Sequence, residues 1–420
     1  MKVQQMKKIG AMLLTACVAT GTLAADEDRI QALEKQMTAA NAEIASLKGE
    51  QNDLSVIGEQ ESKLTLGGYG EIHANFVEGG NDQIDIHRLV MYVGYEFADW
   101  IRLSSEVELE HAFVADSDGG DNGGEISIEQ LYVDFLLSDP VNVRAGRVLA
   151  PIGIINQNHE PTLFLGVERP NFSKNIIPST WSLDGIGVFG FPTSWLSYEA
   201  YVVAGLDNAG FSASSGVRGG RIKERGGLND GAFTGRLDFF PFVDADLPAD
   251  QDVRVGVSGY YGGTNNKNKG GDSSSGVDNT FSLASVDFEY DISRLLFRGV
   301  IALGENSDAD KLTAGVGEQV FGWYLESGIK ALPQSWKKGK LAEAELIPFV
   351  RYEKYDTQHK LPGGVPAATG ANDRTEITVG ANFLLTSQFV LKADVQFASN
   401  ELAGSGTVTK YNLGMGWVFN

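Results

Sequence analysis

The chain has 420 residues, with 34 Lys and Arg against 55 Asp and Glu, a formal net charge of −21. That acidity excludes nucleic acid and acidic membrane surfaces as electrostatic partners. No apolar run reaches the roughly 18 residues that a membrane-spanning helix needs, which leaves a soluble fold or a barrel of strands.

Residues 1–25 read as a secretory signal peptide. Lys2, Lys7 and Lys8 precede an apolar stretch from Ile9 to Thr20, and small residues up to Ala24-Ala25 offer the cleavage site before Asp26-Glu27-Asp28. Without this segment 31 bases face 55 acids, a net charge of −24. The single cysteine, Cys17, falls inside it, so the exported chain has no disulfide or thiolate chemistry. Leu14-Thr15-Ala16-Cys17 also resembles a lipoprotein cleavage box, but the apolar run continues past it to the ordinary site.

Residues 26–60 change to a helical period. Ile30, Leu33, Met37, Ala40, Ile44 and Leu47 follow alternating three- and four-residue steps, with charged or amide side chains between them. The pattern predicts a coiled coil of roughly 40 Å, at 1.5 Å per residue. A coiled coil needs partner helices, so this segment argues for an oligomer. The alternative is one amphipathic helix lying on the rest of the molecule.

From Leu64 to the C-terminus the period is two. Strands are expected near 64–76, 83–97, 100–113, 125–137, 141–148, 185–191, 195–205 and 231–240. Eight more follow near 252–262, 280–290, 294–304, 318–330, 343–355, 374–385, 388–398 and 408–419. Connections alternate between mostly short ones, such as Ala98-Asp99 and Thr386-Ser387, and mostly long ones, such as 207–230 and 263–279. Long loops at one end and tight turns at the other are the outer-membrane pattern. An even strand count puts both barrel ends, and hence residues 26–60, on the periplasmic side.

In the last strand Tyr411, Leu413, Met415, Trp417 and Phe419 oppose Lys410, Asn412, Gly414 and Gly416. With no second sheet left to cover them, the apolar set faces lipid, and the polar set lines a wet interior. Sixteen strands leave an aqueous channel. The fold expected is therefore all-β, a 16-stranded antiparallel transmembrane barrel over 64–420 with an N-terminal coiled-coil segment. Trp100, Trp195 and Trp323 sit near strand ends, where interfacial girdles form.

Several segments resemble the phosphate-selective porin O/P family of Gram-negative outer-membrane porins. They are Leu66-Gly-Gly-Tyr-Gly-Glu-Ile-His73, Ile84-Asp-Ile-His-Arg-Leu-Val90, Ser105–His111, Glu129–Phe135 and Ala145-Gly-Arg147. The run from Pro151 to Trp181, with His159-Glu-Pro161 and Gly166-Val-Glu-Arg169, adds to these. The resemblance implies a homotrimer in the outer membrane, in contact with its lipid and lipopolysaccharide. It also implies that the loop after the fifth strand folds into the channel, which makes His159, Glu160, Glu168, Arg169 and Lys174 constriction residues.

Alternation turns Arg88, Arg102, Arg144, Arg236, Arg254, Arg298, Arg351 and Lys392 inward. It also turns Glu106, Glu108, Glu110, Asp134, Asp238, Asp287 and Glu289 inward, together with Glu71, Glu96, Glu326, Glu376 and Asp394. So mixed a wall departs from the cationic channel of phosphate-selective relatives and suits small hydrophilic solutes and ions generally. Each arginine is also open to a second reading as a wall salt bridge.

Remaining signals are weaker. Asp116, Asp118 and Asp121 have oxygen ligands at calcium-like spacing, but a solvated loop explains them. Arg218, Arg221, Lys223 and Arg225 form the densest basic cluster of the barrel, open to anion attraction or to ordinary solvation. Gly185–Gly190 matches a dinucleotide fingerprint by letter but lies in a strand with no helix after it. Histidines 73, 87, 111, 159 and 359 are scattered, with no metal spacing. No catalytic or cofactor motif is found, so neither enzymatic activity nor a cofactor is expected. The expectation is a passive diffusion porin; the alternatives are an anion- or phosphate-selective channel and a structural or adhesive envelope barrel.

Overall fold

The computed structural model describes residues 63–111, 124–243, 251–267 and 276–419. The expected signal peptide, the coiled-coil seam from Ile30 to Leu47 and the acidic residues Asp116, Asp118 and Asp121 lie outside the described residues.

The first eight strands are β1 (Leu64–Val77), β2 (Gln83–Ala98), β3 (Ile101–Glu110), β4 (Glu125–Ser138), β5 (Val141–Leu149), β6 (Ser182–Thr193), β7 (Leu196–Ala204) and β8 (Gly231–Phe239). Next come β9 (Gln251–Gly263), β10 (Thr280–Ile292), β11 (Leu295–Asn306) and β12 (Gln319–Ile329). The last four are β13 (Glu345–Lys360), β14 (Asp373–Thr386), β15 (Phe389–Asn400) and β16 (Val408–Phe419). Each strand pairs antiparallel with its sequence neighbours, and β1 pairs with β16, so the sheet closes into a 16-strand barrel. Closure leaves no unpaired edge, the condition for strands to cross hydrocarbon. Strand limits follow the sequence reading closely, with the largest gains in β6 and β13. There Leu183 pairs with Val148 and Lys360 with Gln319, beyond the stretches of clear alternation.

One face of the sheet is apolar and exposed. Ile84 and Ile126 are 77% and 72% exposed, and Phe233 64%, a cost in water but favourable against lipid tails. Trp100 and Trp195 lie in short turns, exposed, with Phe135 and Phe239 at ring distances of 6.2 and 6.4 Å. Trp323 stacks on Tyr352 at 5.2 Å.

The other face carries the buried charges, but it is not uniformly polar as alternation alone predicts. On β10 the inward series runs Phe281, Leu283, Ser285, Asp287 and Glu289, from the long-loop end toward the short-turn end. Phe281 and Leu283 join Tyr260, Val300, Ala302, Val320 and Tyr324 in a buried apolar cluster. Ile152, Ile154, Phe172, Ile176 and Trp181 of the β5–β6 connection fill that cluster, as does Phe211 of the β7–β8 connection. The expectation of a wet lining therefore fails here, because loop side chains cover these apolar groups.

Two of the register shifts in the wall lie beside its charged residues. Glu71 pairs with Arg88 and Ile72 with Ile86, which leaves His87 as the extra residue of β2. Glu106 pairs with Gln130 and Val107 with Ile128, which leaves Glu129 as the extra residue of β4. A bulge breaks the strict period of two and re-aims a side chain; Glu129 is buried although its position in the alternation is no guide to that.

Candidate functional site

The inward arginines are held by carboxylates from neighbouring strands. Arg236 donates to Asp287 at 2.7 and 2.9 Å and to Asp238 at 2.8 Å. Arg254, one strand on, bonds Asp238 at 2.6 Å, Asp287 at 3.0 Å and Glu289 at 2.5 Å. Arg298 reaches Glu289 at 3.3 Å, and Arg351 pairs with Glu326 at 2.7 Å. Arg144 grips Asp134 through two bonds of 2.7 and 2.9 Å, with its guanidinium 4.0 Å from the centre of the Tyr132 ring. Arg88 lies among Glu71 at 2.8 Å, Glu108 at 2.7 Å and Glu110 at 3.3 Å. Arg102 meets Glu96 at 3.3 Å, both half-exposed. All seven arginines singled out by alternation have an acidic partner, the arrangement that makes burial of charge tolerable.

Lys392 behaves differently. It donates to the Phe164 carbonyl at 3.2 Å and stands 3.5 Å from the centre of that ring. The β5–β6 connection makes further bonds to the same wall. Arg351 donates to the Leu165 carbonyl, Asn382 accepts from Gly166 N at 3.1 Å, and Asp394 accepts from Val167 N at 2.6 Å. Asn171 donates to Glu376 at 2.8 Å, and Glu353 accepts from Phe172 N at 2.9 Å, at the start of the short helix α1 (Phe172–Asn175). Gly166 has φ of +81°, and a Cβ there would lie 3.2 Å from Phe349 and 3.3 Å from Asp394. Only glycine combines that backbone with so close an approach.

The five residues named for this connection separate into different roles. Glu160 accepts from Tyr92 at 3.1 Å. Glu168 accepts from Asn75 at 3.1 Å and lies 3.2 Å from His73 Nδ1. Arg169 donates to the His159 carbonyl at 3.1 Å, and Lys174 is exposed. His159 is buried, with its Nε2 at 3.5 Å from Glu106 and 3.3 Å from Glu129. Burial and the Arg169 charge both oppose protonation of His159, but the two facing carboxylates outweigh them and hold its pKa up at about 10.

The histidines are not scattered in space. His73 stacks on His87 at 4.5 Å, and His87 meets His111 edge-on at 5.0 Å. Asp85 joins the last two, at 2.8 Å from His87 Nδ1 and 2.9 Å from His111 Nδ1. Adjacent strands and the β2 bulge bring together what sequence spacing keeps apart. Two members of the basic cluster also have a structural duty: Arg221 donates to the carbonyls of Ser179 at 2.5 Å and Thr180 at 2.9 Å, and Arg218 to that of Lys174 at 3.4 Å. A cavity of about 390 Å³ opens on this side, lined among others by His73, Arg88, Glu110, Arg147, Lys174 and Arg221.

An uncharacterized protein of Aquifex aeolicus (strain VF5) is 32% identical to this chain over 360 residues, 81% of this chain and 77% of that protein. The chain belongs to that protein's family. No family model matches it. Among solved structures, an anion-selective porin from Comamonas acidovorans superposes with a TM-score of 0.54 at 14% identity, covering 86% of this chain and 100% of that one. OmpF of Salmonella typhi, in complex with daunomycin, gives 0.53 at 13%, covering 85% and 98%. The outer-membrane channel DcaP of Acinetobacter baumannii gives 0.52 at 12%, covering 87% and 100%. At such identities the likeness is one of fold, and that fold is the barrel of outer-membrane porins.

Proposed function

We propose that this chain is a passive outer-membrane porin for small hydrophilic solutes and ions. One observation carries the reading: a closed ring with an apolar exposed face encloses a second face whose charges are ion-paired and fixed. Such a ring is suited to hydrocarbon outside and water inside. The β5–β6 connection bonds to β13, β14 and β15 across from its own strands, which supports a loop that enters the bore and narrows it. The apolar cluster closes the side under β9–β12, and the polar cavity beside β1–β4 supports a solute route there. Pairing of the seven wall arginines that alternation turns inward supports weak selectivity, since a carboxylate already holds each of them.

The second reading is an anion- or phosphate-selective channel. It draws on the cavity where Arg147, Arg169, Lys174, Arg218 and Arg221 gather. Single-channel recording in planar bilayers with a salt gradient separates the two. Stepwise conductance with a reversal potential near zero is the expected result, and a strong anion preference favours the second reading. No conductance steps at all would leave the structural or adhesive envelope barrel. The homotrimer rests on the coiled-coil pattern of residues 26–60 and on the porin resemblance; deleting that segment should weaken trimers on heat-modifiability gels while conductance persists.

A further inference from the structure

Glu106 of β3, the bulged Glu129 of β4 and His159 of the β5–β6 connection converge at one buried point. Their side chains are 2%, 5% and 3% exposed. Glu106 Oε1, Glu129 Oε2 and His159 Nε2 have no hydrogen-bond partner apart from their ion-pair contacts with one another, and the three atoms lie within 4.8 Å of one another. Separations of 3.3 and 3.5 Å from the nitrogen to the two oxygens are long for charge-assisted hydrogen bonds. They match the edge of a tetrahedron, about 3.4 Å when each ligand sits ~2.1 Å from a central ion.

The surroundings fit that geometry. His159 Nδ1 lies 3.0 Å from the Asn156 carbonyl and donates there, which leaves Nε2 as the nitrogen that faces the two carboxylates. Gln130 donates to the other oxygen of Glu106 at 2.6 Å and orients the carboxylate. The buried Tyr69, whose hydroxyl also lacks a partner, packs edge-on against the His159 ring at 5.9 Å. An incoming ion would displace the proton that the two carboxylates hold on Nε2, and two carboxylates with the resulting neutral imidazole balance a divalent charge. By contrast, Asp85, His87 and His111 are bonded to one another, and Arg88 Nη2 lies 2.7 Å from His87 Nε2, which occupies that ring's second nitrogen.

We propose that Glu106 Oε1, Glu129 Oε2 and His159 Nε2 bind a divalent transition-metal ion of the zinc class, which clamps the β5–β6 connection to the β3–β4 wall. Nitrogen and carboxylate oxygen in a four-coordinate site suit zinc, with water as the fourth ligand. The competing arrangement is a protonated imidazole held between the two carboxylates with no ion.

The test uses the full chain, folded in detergent, stripped with a chelator and titrated with Zn²⁺ alone. The expected result is uptake of one ion per chain, displaced by Zn²⁺ from a Co²⁺ form with the intense visible bands of four-coordinate cobalt. E129Q and H159Q should each weaken binding by more than about 100-fold, and H87Q should leave it unchanged. Absence of stoichiometric uptake overturns the proposal, as does uptake that survives H159Q or is lost in H87Q. If a variant does not fold, the Co²⁺ form of the unaltered chain decides through its proton spectrum: one shifted imidazole N–H supports the site, and none or two overturns it. Conductance is not a readout, so failure here is distinct from failure of the porin reading.

Discussion

Two stretches of the same inner wall, both toward the long connections, are built in opposite ways. On β9–β12, Tyr260, Phe281, Leu283, Val300 and Val320 are buried against Ile152, Phe172, Ile176 and Trp181. On β1–β3, His73, His87, Arg88 and Glu110 line an open cavity, joined to one another by ring stacking, a hydrogen bond and an ion pair. The first stretch anchors the connection by excluding water. The second remains polar because nothing apolar covers it. A barrel interior is therefore not one environment: apolar packing holds the β5–β6 connection on one side, and charged groups line the cavity on the other.

The comparison can be broken at four places, from the largest expected effect to the smallest. Trp181→Ala empties the centre of the apolar stretch and should cost about 3–5 kcal/mol of unfolding stability, read by urea unfolding in lipid vesicles; a loss under about 1 kcal/mol would mean that this packing does not hold the connection. Asp287→Asn strips a shared partner from Arg236 and Arg254 in the buried belt. It should cost about 3 kcal/mol while the reversal potential in a salt gradient stays put. The matching change on the open side, Glu110→Gln, reverses that pattern: stability moves by less than about 1 kcal/mol, and the reversal potential shifts toward anions because one negative charge leaves the cavity. Equal shifts from the two variants would erase the distinction between the stretches. Arg102→Ala, which breaks a half-exposed pair with Glu96, should change stability by no more than about 0.5 kcal/mol in the same unfolding assay.

Much of this was legible from alternation. A period of two reports which side chains share a face, so Arg236, Asp287 and Arg351 could be turned inward and Tyr411 and Leu413 outward without coordinates. The role of each inward charge was not legible, because a partner on the next strand depends on register. Register is offset wherever a bulge intervenes, as at His87 and Glu129. Phe281 and Leu283 share a face with Asp287, and nothing local says that residues more than a hundred positions earlier will cover them. The five histidines likewise could not be grouped by spacing, since His73, His87 and His111 come together only across β1, β2 and the end of β3, while His159 of the β5–β6 connection meets Glu106 and Glu129 instead.

By itself, the sequence determined the class of fold, the number of strands and the sorting of long and short connections, because these follow from local periodicity and turn chemistry. Only the tertiary structure decided which charges neutralise one another, which half of the wall is sealed by apolar packing, and that Glu106, Glu129 and His159 meet. Those outcomes depend on ring closure and on where one long connection comes to rest, and both are set by contacts between residues far apart in the chain.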